Sequence, residues 1–128
     1  MAVYVQHLAG ATFKISNETS SIEVEIPMLD DDPKSGLQPV EMLLGSVAAC
    51  MMSSGMEFVR RNGGAIDGVR MTIDSETETR PIRVGSIQVK TEFDNNVTER
   101  IQGQFSRAAE RCKVHNTITS GPNIVFTQ

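Results

Sequence analysis

Two cysteines, Cys50 and Cys112, are the residues of this 128-residue chain that are best suited to covalent chemistry. Cys50 lies within a long apolar segment, and Cys112 lies near the end of a second, amphipathic segment. A pair of thiols in a chain without a secretory signal indicates intracellular redox chemistry, or plain burial, sooner than a structural disulfide framework. Cysteine is among the most frequently buried residues, so Cys50 could also be a small hydrophobic residue of a buried helix.

Redox chemistry at Cys50 requires the thiolate, because the neutral thiol is a poor nucleophile. A cysteine with the ordinary pKa of about 8.5 is only about 3% ionised at neutral pH. Cys50 lies eleven positions after Pro39, the expected helix start, and a helix dipole acts only near its first turn. A nearby cation or hydrogen-bond donor is therefore required. The open candidates are Lys14, Arg60 or Arg61 from a second subunit, and Arg111 or Lys113 beside Cys112.

The N-terminal region is predicted to form strands. Apolar and polar residues alternate over residues 3–8 and again over residues 22–26, as in a sheet with one face in water. Residues 17–20, Asn-Glu-Thr-Ser, supply turn chemistry, so the pattern favours an antiparallel hairpin or meander. Residues 30–36, which include three aspartates, indicate an exposed loop.

A helix is predicted from about Pro39 to Asn62. Pro39 suits the first helical turn, Glu41 complements the positive helix start, and Gly63 follows two arginines at the other end. Between Met42 and Met56 serine is the main polar residue, so protein should cover most sides of the helix. A small domain cannot easily surround such a helix, and we expect a second subunit to help cover it in a homodimer.

The second half of the chain is predicted to contain two strands, one helix and a final strand. Residues 66–73 and 82–93 have strand patterns, and the second pattern changes phase, which indicates a bulge or a bend. Asn96, with Glu99 three positions later, marks a helix start, and the apolar stripe that follows extends to Cys112. Residues 123–128 are predicted to add the last strand.

Composition restricts the classes of function. The net charge of −4 leaves no basic stripe for nucleic acid or an anionic membrane, and one tyrosine with five phenylalanines is a poor set for stacking on bases. We expect one domain over residues 1–128, located in the cytoplasm, with no nucleic-acid partner, no membrane-spanning segment and no cofactor. Cys112 and His115 have ligand-like spacing, but a zinc site is disfavoured because a stable site would need more ligands than Cys50 and the distant His7 can offer.

The sequence resembles a known family in two segments. Residues 39–50, Pro-Val-Glu-Met-Leu-Leu-Gly-Ser-Val-Ala-Ala-Cys, and residues 109–115, Ala-Glu-Arg-Cys-Lys-Val-His, are similar to the osmotically inducible protein C and organic hydroperoxide resistance (OsmC/Ohr) family. Order and spacing agree over nearly the whole chain. The resemblance implies an α+β fold with antiparallel sheets and long central helices, completed as an intertwined homodimer with active sites at the subunit interface.

The resemblance also implies a thiol peroxidase that reduces organic hydroperoxides in an antioxidant response to oxidative stress. Cys50 would attack the peroxide as a thiolate, release an alcohol and become a sulfenic acid. Cys112 would then condense with it to a disulfide, and a small dithiol or a lipoylated protein would restore both thiols. Glu41 is carried over as the third candidate catalytic residue.

The chain departs from the peroxidases of this family around both cysteines. Those enzymes have a glutamate directly after the helix-start proline, paired with an arginine of the N-terminal strands; here Val40 holds that position and Glu41 follows it. A shift of one helical position turns a side chain by about 100°. No arginine precedes Arg60, and Lys113 replaces the usual proline after the second cysteine. Glu41 is thus either a catalytic orienter or a helix-start carboxylate, and an alternative function is a small-molecule or acyl-ligand binding protein with weak or no peroxidase activity.

Overall fold

The computed structural model describes residues 1–27, 29 and 35–127. Its elements are, in chain order, β1 (Tyr4–Ala9), β2 (Thr12–Ser16), β3 (Ser21–Glu25), α1 (Pro39–Arg61), β4 (Arg70–Glu78), β5 (Arg83–Glu92), α2 (Glu99–Ala109) and α3 (Lys113–Ser120). Antiparallel sheets combined with helices give an α+β fold, as predicted. The chain divides into two compact units, Met1–Leu43 and Leu44–Gln128. Most of the loop predicted at residues 30–36 lies outside the described residues.

The first unit contains an antiparallel meander with the strand order β1-β2-β3. The turn predicted at residues 17–20 joins β2 to β3. There the Asn17 side chain accepts hydrogen bonds from the backbone N–H groups of Thr19 and Ser20, at 2.9 and 2.8 Å. Asparagine forms such local bonds readily, which is why it favours turns. Of the two predicted arrangements, a hairpin or a meander, the structure has the meander, and its middle strand β2 was not predicted.

Helix α1 begins and ends close to where the sequence predicts. Pro39 is its first residue, and the Glu41 carboxylate accepts a 2.8 Å hydrogen bond from the backbone N–H of Gln38. This bond satisfies one of the donors that a helix start leaves unpaired. At the other end Gly63 has φ = 82°, a conformation that favours glycine, and its N–H donates to the carbonyl of Arg60.

Helix α1 also has the length and composition of a membrane span, with a mean hydropathy of 1.4 over an 18-residue window. No membrane-spanning segment is expected from the sequence, yet α1 is long and apolar enough to be one by length and composition alone. The core helix of a water-soluble protein passes the same test, and α1 buries Leu44, Val47, Gly55 and Val59 in the protein. Because 22% of the window is buried, much of the apolar surface of α1 is uncovered in the single chain.

The core of the second unit forms between α1 and α2. Its buried members are Val59, Ile66, Val97, Phe105 and Ala109, and partly buried residues that pack against them include Met51, Met52 and Met56. Gly55 permits the close approach of α2, because a Cβ added there would lie 2.5 Å from Cδ2 of Phe105. Phe105 is 1% exposed, and its ring meets Phe93 edge-on at a centroid distance of 5.4 Å. The helix pair thus fixes the orientation of α1 in this unit.

Strands β4 and β5 pair antiparallel, and their register shifts between Glu76 and Thr77. Glu76 is opposite Ser86 and Thr77 is opposite Val84, so Gly85 is the extra residue of a bulge. This is the bulge that the change of phase in the sequence predicts. The first strand of the pair begins at Arg70 and not at residue 66, because Ile66 is used as a buried core residue ahead of the strand.

The segment predicted as one helix up to Cys112 is two helices. Thr98, and not Asn96, is the N-cap of α2, since its Oγ1 accepts a hydrogen bond of 3.3 Å from the backbone N–H of Ile101. Helix α2 ends at Ala109, and Cys112 is the N-cap of the separate helix α3. The continuous apolar stripe conceals this break, because Cys112 remains buried after the helix has ended.

The strand predicted at residues 123–128 was wrong for the described part of this tail, residues 123–127, which has no regular secondary structure. Ile124, Val125 and Phe126 are 77%, 77% and 93% exposed. A strand needs a neighbour for its backbone hydrogen bonds, and apolar composition alone does not supply one.

Candidate active site

The two cysteines meet at the N-terminus of α3. Cys112 is the N-cap of this helix, and its Sγ accepts a hydrogen bond of 3.3 Å from the backbone N–H of His115. Cys50 reaches the same helix end from α1, and its Sγ accepts hydrogen bonds from the backbone N–H groups of Val114 and Lys113. The Cys112 thiol is also a hydrogen-bond donor to Cys50, and both cysteines are free thiols. The fold thus brings together two thiols that the sequence separates by 62 positions.

The backbone amides of α3 favour the ionised form of Cys50. The hydrogen bond from the Val114 N–H is the main cause that lowers the pKa of Cys50 below its ordinary value, and burial opposes it. The Cys112 thiol, the Lys113 N–H and the Ser54 hydroxyl add smaller effects that also lower this pKa. Unpaired N–H groups at a helix start stabilise an anion there, and a thiolate is such an anion. The required activator is therefore the start of another helix, and Lys113 acts through its backbone.

Cys112 is held in the neutral form. Burial is the main cause that raises the pKa of Cys112, although the hydrogen bond from the His115 N–H opposes it. The hydrogen bond that Cys112 donates to Cys50, together with the negative charge on Cys50, raises the pKa of Cys112 further. Cys50 is therefore the thiol that ionises first, and Cys112 keeps its proton.

Glu41, the third predicted site residue, lies nine positions before Cys50 in α1. Its carboxylate caps the helix start through the backbone N–H of Gln38. The hydrogen bonds that shift the pKa of Cys50 come from Ser54 of α1 and from residues 112–114. The structure therefore provides a contact for the helix-start role of Glu41, while its catalytic role stays a prediction.

A family profile described as OsmC-like protein matches residues 30–127, which is most of the chain and includes both cysteines. The chain belongs to the OsmC-like family. The family predicted from the two cysteine segments is thus confirmed. None of the curated proteins has a sequence that matches this OsmC-like chain.

Solved structures share the fold of this OsmC-like chain. An osmotic stress induced and detoxification response protein from Psychrobacter arcticus is 18% identical, with a TM-score of 0.78 over 91% of this chain and 87% of that one. An OsmC like protein from Mycoplasma pneumoniae is 17% identical, with a TM-score of 0.75 over 94% and 87%. The organic hydroperoxide resistance protein OhrB of Bacillus subtilis is 12% identical, with a TM-score of 0.58 over 94% and 93%. At these identities the similarity establishes the OsmC-like fold alone, and it confirms the predicted fold class.

An apolar cavity of about 570 Å³ lies beside α3 in this OsmC-like protein. Val47 and Met51 of α1, strand β5, and His115 and Ile118 of α3 line it. The His115 Nδ1 atom is buried and has no hydrogen-bond partner among the described residues. Leaving a buried polar group unpaired costs about 1–3 kcal/mol, so His115 is held at the cavity wall with one nitrogen at a cost.

Sequence reasoning missed Val114, Ser54 and His115 as members of the site of this OsmC-like protein. Every residue except proline has a backbone N–H group, so the residue type of Val114 could not indicate that it donates to Cys50. Ser54 did carry one, because it follows Cys50 by four positions and therefore lies on the same face of α1. His115 was considered only as a metal ligand, and the described residues contain no group of three or more His, Cys, Asp or Glu placed to hold a metal ion.

Proposed function

We propose that this OsmC-like protein is a two-cysteine thiol peroxidase that reduces organic hydroperoxides. The observation that carries this proposal is the pair of thiols at the start of α3, where backbone N–H groups stabilise the Cys50 thiolate and Cys112 is in hydrogen-bond contact. Membership of the OsmC-like family and the fold shared with a protein of organic hydroperoxide resistance support the same class of chemistry.

The reaction begins with the Cys50 thiolate, which attacks the terminal oxygen of the hydroperoxide. The O–O bond breaks, Cys50 becomes a sulfenic acid, and the alkoxide takes up a proton and leaves as an alcohol. Oxidation also removes the negative charge of Cys50, which is one of the causes that raise the pKa of Cys112. The His115 N–H still donates to the Cys112 sulfur, so loss of that charge favours ionisation of Cys112 at this stage.

The second half of the reaction forms and then reduces a disulfide. The Cys112 sulfur attacks Cys50, an S–S bond forms, and the sulfenic oxygen leaves as water. A small dithiol, or a lipoyl group on a protein, then reduces the bridge by thiol–disulfide exchange and is itself oxidised to a disulfide. Both cysteines return to the free thiols seen in the structure.

The deciding experiment measures how fast an organic hydroperoxide oxidises Cys50 in reduced protein, with intact mass and peptide mapping of the product. We expect oxidation orders of magnitude faster than that of free cysteine, ending in a Cys50–Cys112 disulfide. Cys112→Ser should stop at a sulfenic acid on Cys50, which dimedone traps. A Cys50 rate no faster than that of free cysteine would refute the peroxidase proposal.

Glu41 is proposed as a residue that positions the active site, and the Glu41→Gln variant tests this. If Glu41 acts only at the helix start, Glu41→Gln should lower the free energy of unfolding and leave the oxidation rate of Cys50 unchanged. If Glu41 positions the active site, Glu41→Gln should lower the oxidation rate of Cys50 even at temperatures where the variant is fully folded. The amide of glutamine keeps the size and an acceptor oxygen for Gln38 while it removes the charge.

We also propose that the protein is a single OsmC-like domain that acts in the cytoplasm as a homodimer. The uncovered apolar surface of α1 supports a partner, and Val40 and Leu43 of this helix are 46% and 43% exposed. The exposed side chains of Ile124, Val125 and Phe126 supply further apolar surface for an interface. Sedimentation equilibrium should show a dimer, and a chain shortened after Gly121 should dissociate at higher concentration if the tail lies in the interface.

A second candidate function is the binding of an apolar or acyl-bearing small molecule without peroxide turnover. The apolar cavity beside α3, which His115 helps to line, is the observation that favours it. Native mass spectrometry of the purified protein should then show a copurified ligand. The same ligand should raise the melting temperature of a variant in which both cysteines are replaced by serine, whereas a peroxidase without this function should show neither effect.

A further inference from the structure

A second cavity, of about 530 Å³, lies between α1 and α2 and is rich in arginine. Its lining includes Arg61, Arg107 and Arg111, together with Ser54 and Glu57, and we call it the arginine groove. The volume is within the range of about 300–1,000 Å³ that is usual for small-molecule sites. The chain as a whole has a net charge of −4, so a groove with three guanidinium groups and one carboxylate differs from it in sign.

The arginines of this groove retain unused donors. Arg61 uses Nη2 for an ion pair of 2.6 Å with Glu57, and both side chains are largely exposed, which makes the pair weak in water. Arg107 uses Nε for the carbonyl of Gly103 in its own helix, at 3.3 Å. Among the described residues, neither the terminal nitrogens of Arg107 nor the side chain of Arg111 has a hydrogen-bond partner. Each guanidinium therefore retains donors for an added acceptor.

The arginine groove is connected to the thiol pair through two residues. Ser54 lines the groove, and its hydroxyl donates a hydrogen bond to Cys50. Arg111 also lines the groove and directly precedes Cys112 in the chain. Neither cysteine lines the groove itself, so the far end of a ligand held beside the arginines would have to extend past Ser54 to reach Cys50.

We propose that the arginine groove is a carboxylate-binding subsite, which holds one end of an elongated organic acid while its other end reacts at Cys50. The proposal rests on the peroxidase function. Guanidinium groups bind carboxylates through two parallel hydrogen bonds, and Phe58 and Ala108 provide apolar wall for the connecting chain. The acid is either the hydroperoxide substrate or the dithiol that reduces the enzyme, because both can carry a carboxylate at the far end.

Two kinetic measurements separate these sources. The first compares the oxidation rate of reduced protein by a fatty-acid hydroperoxide and by its methyl ester. The second compares the reduction rate of the Cys50–Cys112 disulfide by dihydrolipoate and by neutral dihydrolipoamide. Each is repeated with Arg107→Gln and Arg111→Gln, and with Arg100→Gln as the matched control, because Arg100 belongs to α2 but does not line the groove.

The wild type should react roughly tenfold faster with the acid than with its neutral analogue. This ratio is the lower end of the effect of a hydrogen bond to a charged group, and it applies because these arginines are exposed. Arg107→Gln and Arg111→Gln should lose this preference, and Arg100→Gln should keep it. Preference for the fatty-acid hydroperoxide identifies the substrate as the acid, and preference for dihydrolipoate identifies the reductant. Equal rates for acid and neutral analogue in both measurements, with wild-type protein, would overturn the proposal.

A binding measurement distinguishes failure of the subsite from failure of the peroxidase. Octanoate should raise the melting temperature of the Cys50→Ser variant more than octanamide does, and Arg107→Gln should abolish the difference. If both hydroperoxides react no faster with the protein than with free cysteine, the peroxidase function is wrong. Loss of the octanoate effect as well would then refute the subsite independently of turnover.

Discussion

The role of the α3 amides can be tested at Lys113, because its backbone N–H and its ammonium group can be removed separately. Lys113 is the first residue of α3, and Cys112 before it has φ = −70° and ψ = 154°, the extended conformation that a following proline requires. Proline is well tolerated at the first position of a helix. Lys113→Pro therefore removes the N–H that donates to Cys50, and the matched variant Lys113→Gln removes only the charge.

The expected effect follows from the number of donors that remain. A hydrogen bond to a charged group contributes about 1.5–3 kcal/mol. Val114, Cys112 and Ser54 still donate to the Cys50 thiolate in the Lys113→Pro variant, so the lower end of that range applies. Because about 1.4 kcal/mol corresponds to a factor of ten, alkylation of Cys50 at a pH below its pKa should slow roughly tenfold in Lys113→Pro. Lys113→Gln should keep the wild-type rate to within about a factor of two, as for other exposed charges.

The assay is iodoacetamide alkylation of reduced protein over a series of pH values, with Cys50 and Cys112 quantified separately by peptide mass. Circular dichroism melting checks that both variants remain folded. The midpoint of the Cys50 profile should move to higher pH in Lys113→Pro alone. An equal loss in both variants would show that the ammonium group activates Cys50, and unchanged profiles in both would show that the Lys113 N–H contributes nothing.

Three further predictions follow from the packing and the coupled thiols. Gly55→Ala should lower the free energy of unfolding by about 1–3 kcal/mol, because the added methyl group would overlap the buried Phe105 ring. Gly45→Ala, where the same helix has open space, should raise the free energy of unfolding by about 0.5–1 kcal/mol, and urea unfolding measures both changes. The Cys50–Cys112 disulfide closes a 62-residue loop and should stabilise the oxidised protein by roughly 4 kcal/mol, yet a dithiol should reduce it readily under native conditions; resistance to reduction would indicate a structural bridge. Because folding lowers the pKa of Cys50, the Cys50 thiolate stabilises the fold above the ordinary cysteine pKa, and this contribution is lost as pH falls through the lowered pKa. The difference in free energy of unfolding between wild type and Cys50→Ser, from urea unfolding in reducing buffer, should therefore grow as pH rises from the lowered pKa to the ordinary one.

Local signals were sufficient to predict the longest helix and the N-terminal sheet. Pro39, Glu41 and Gly63 mark the ends of α1 through contacts with residues at most a few positions away. Asn17 fixes the turn between β2 and β3 in the same way. These contacts are set by short stretches of chain, so residue types and spacing were enough.

Elements that depend on distant neighbours could not be predicted. The apolar stripe that ends at Cys112 has helical spacing, yet α2 ends at Ala109, and Cys112 is buried as the cap of the next helix. The apolar tail at residues 123–127 has strand composition but pairs with no strand of the described chain. In both cases the hydrophobic pattern gives burial, but tertiary contacts decide the backbone conformation.

The groups that lower the pKa of Cys50 could not be predicted from the sequence for a related reason. The dipole of α1 was correctly excluded, because Cys50 lies well beyond the first turn of that helix. The sequence then directed attention to cationic side chains, whereas the main donor is the backbone N–H of Val114, on a helix that starts 63 positions after Cys50. Both cysteines were nevertheless selected together, because thiols are well suited to redox chemistry, and the structure places them in contact.

Two departures from the peroxidases that this chain resembles act in opposite directions on the Cys50 thiolate. Those enzymes use an arginine of the N-terminal strands, and here no arginine precedes Arg60. Their usual proline after the second cysteine has no N–H, whereas Lys113 at that position donates its N–H to Cys50. A neutral backbone donor can stabilise a thiolate but cannot bind an anionic or strongly polar substrate as a guanidinium does. Under the proposed peroxidase function, the α3 amides ionise Cys50 and substrate binding falls to other residues, for which the arginine groove is the candidate.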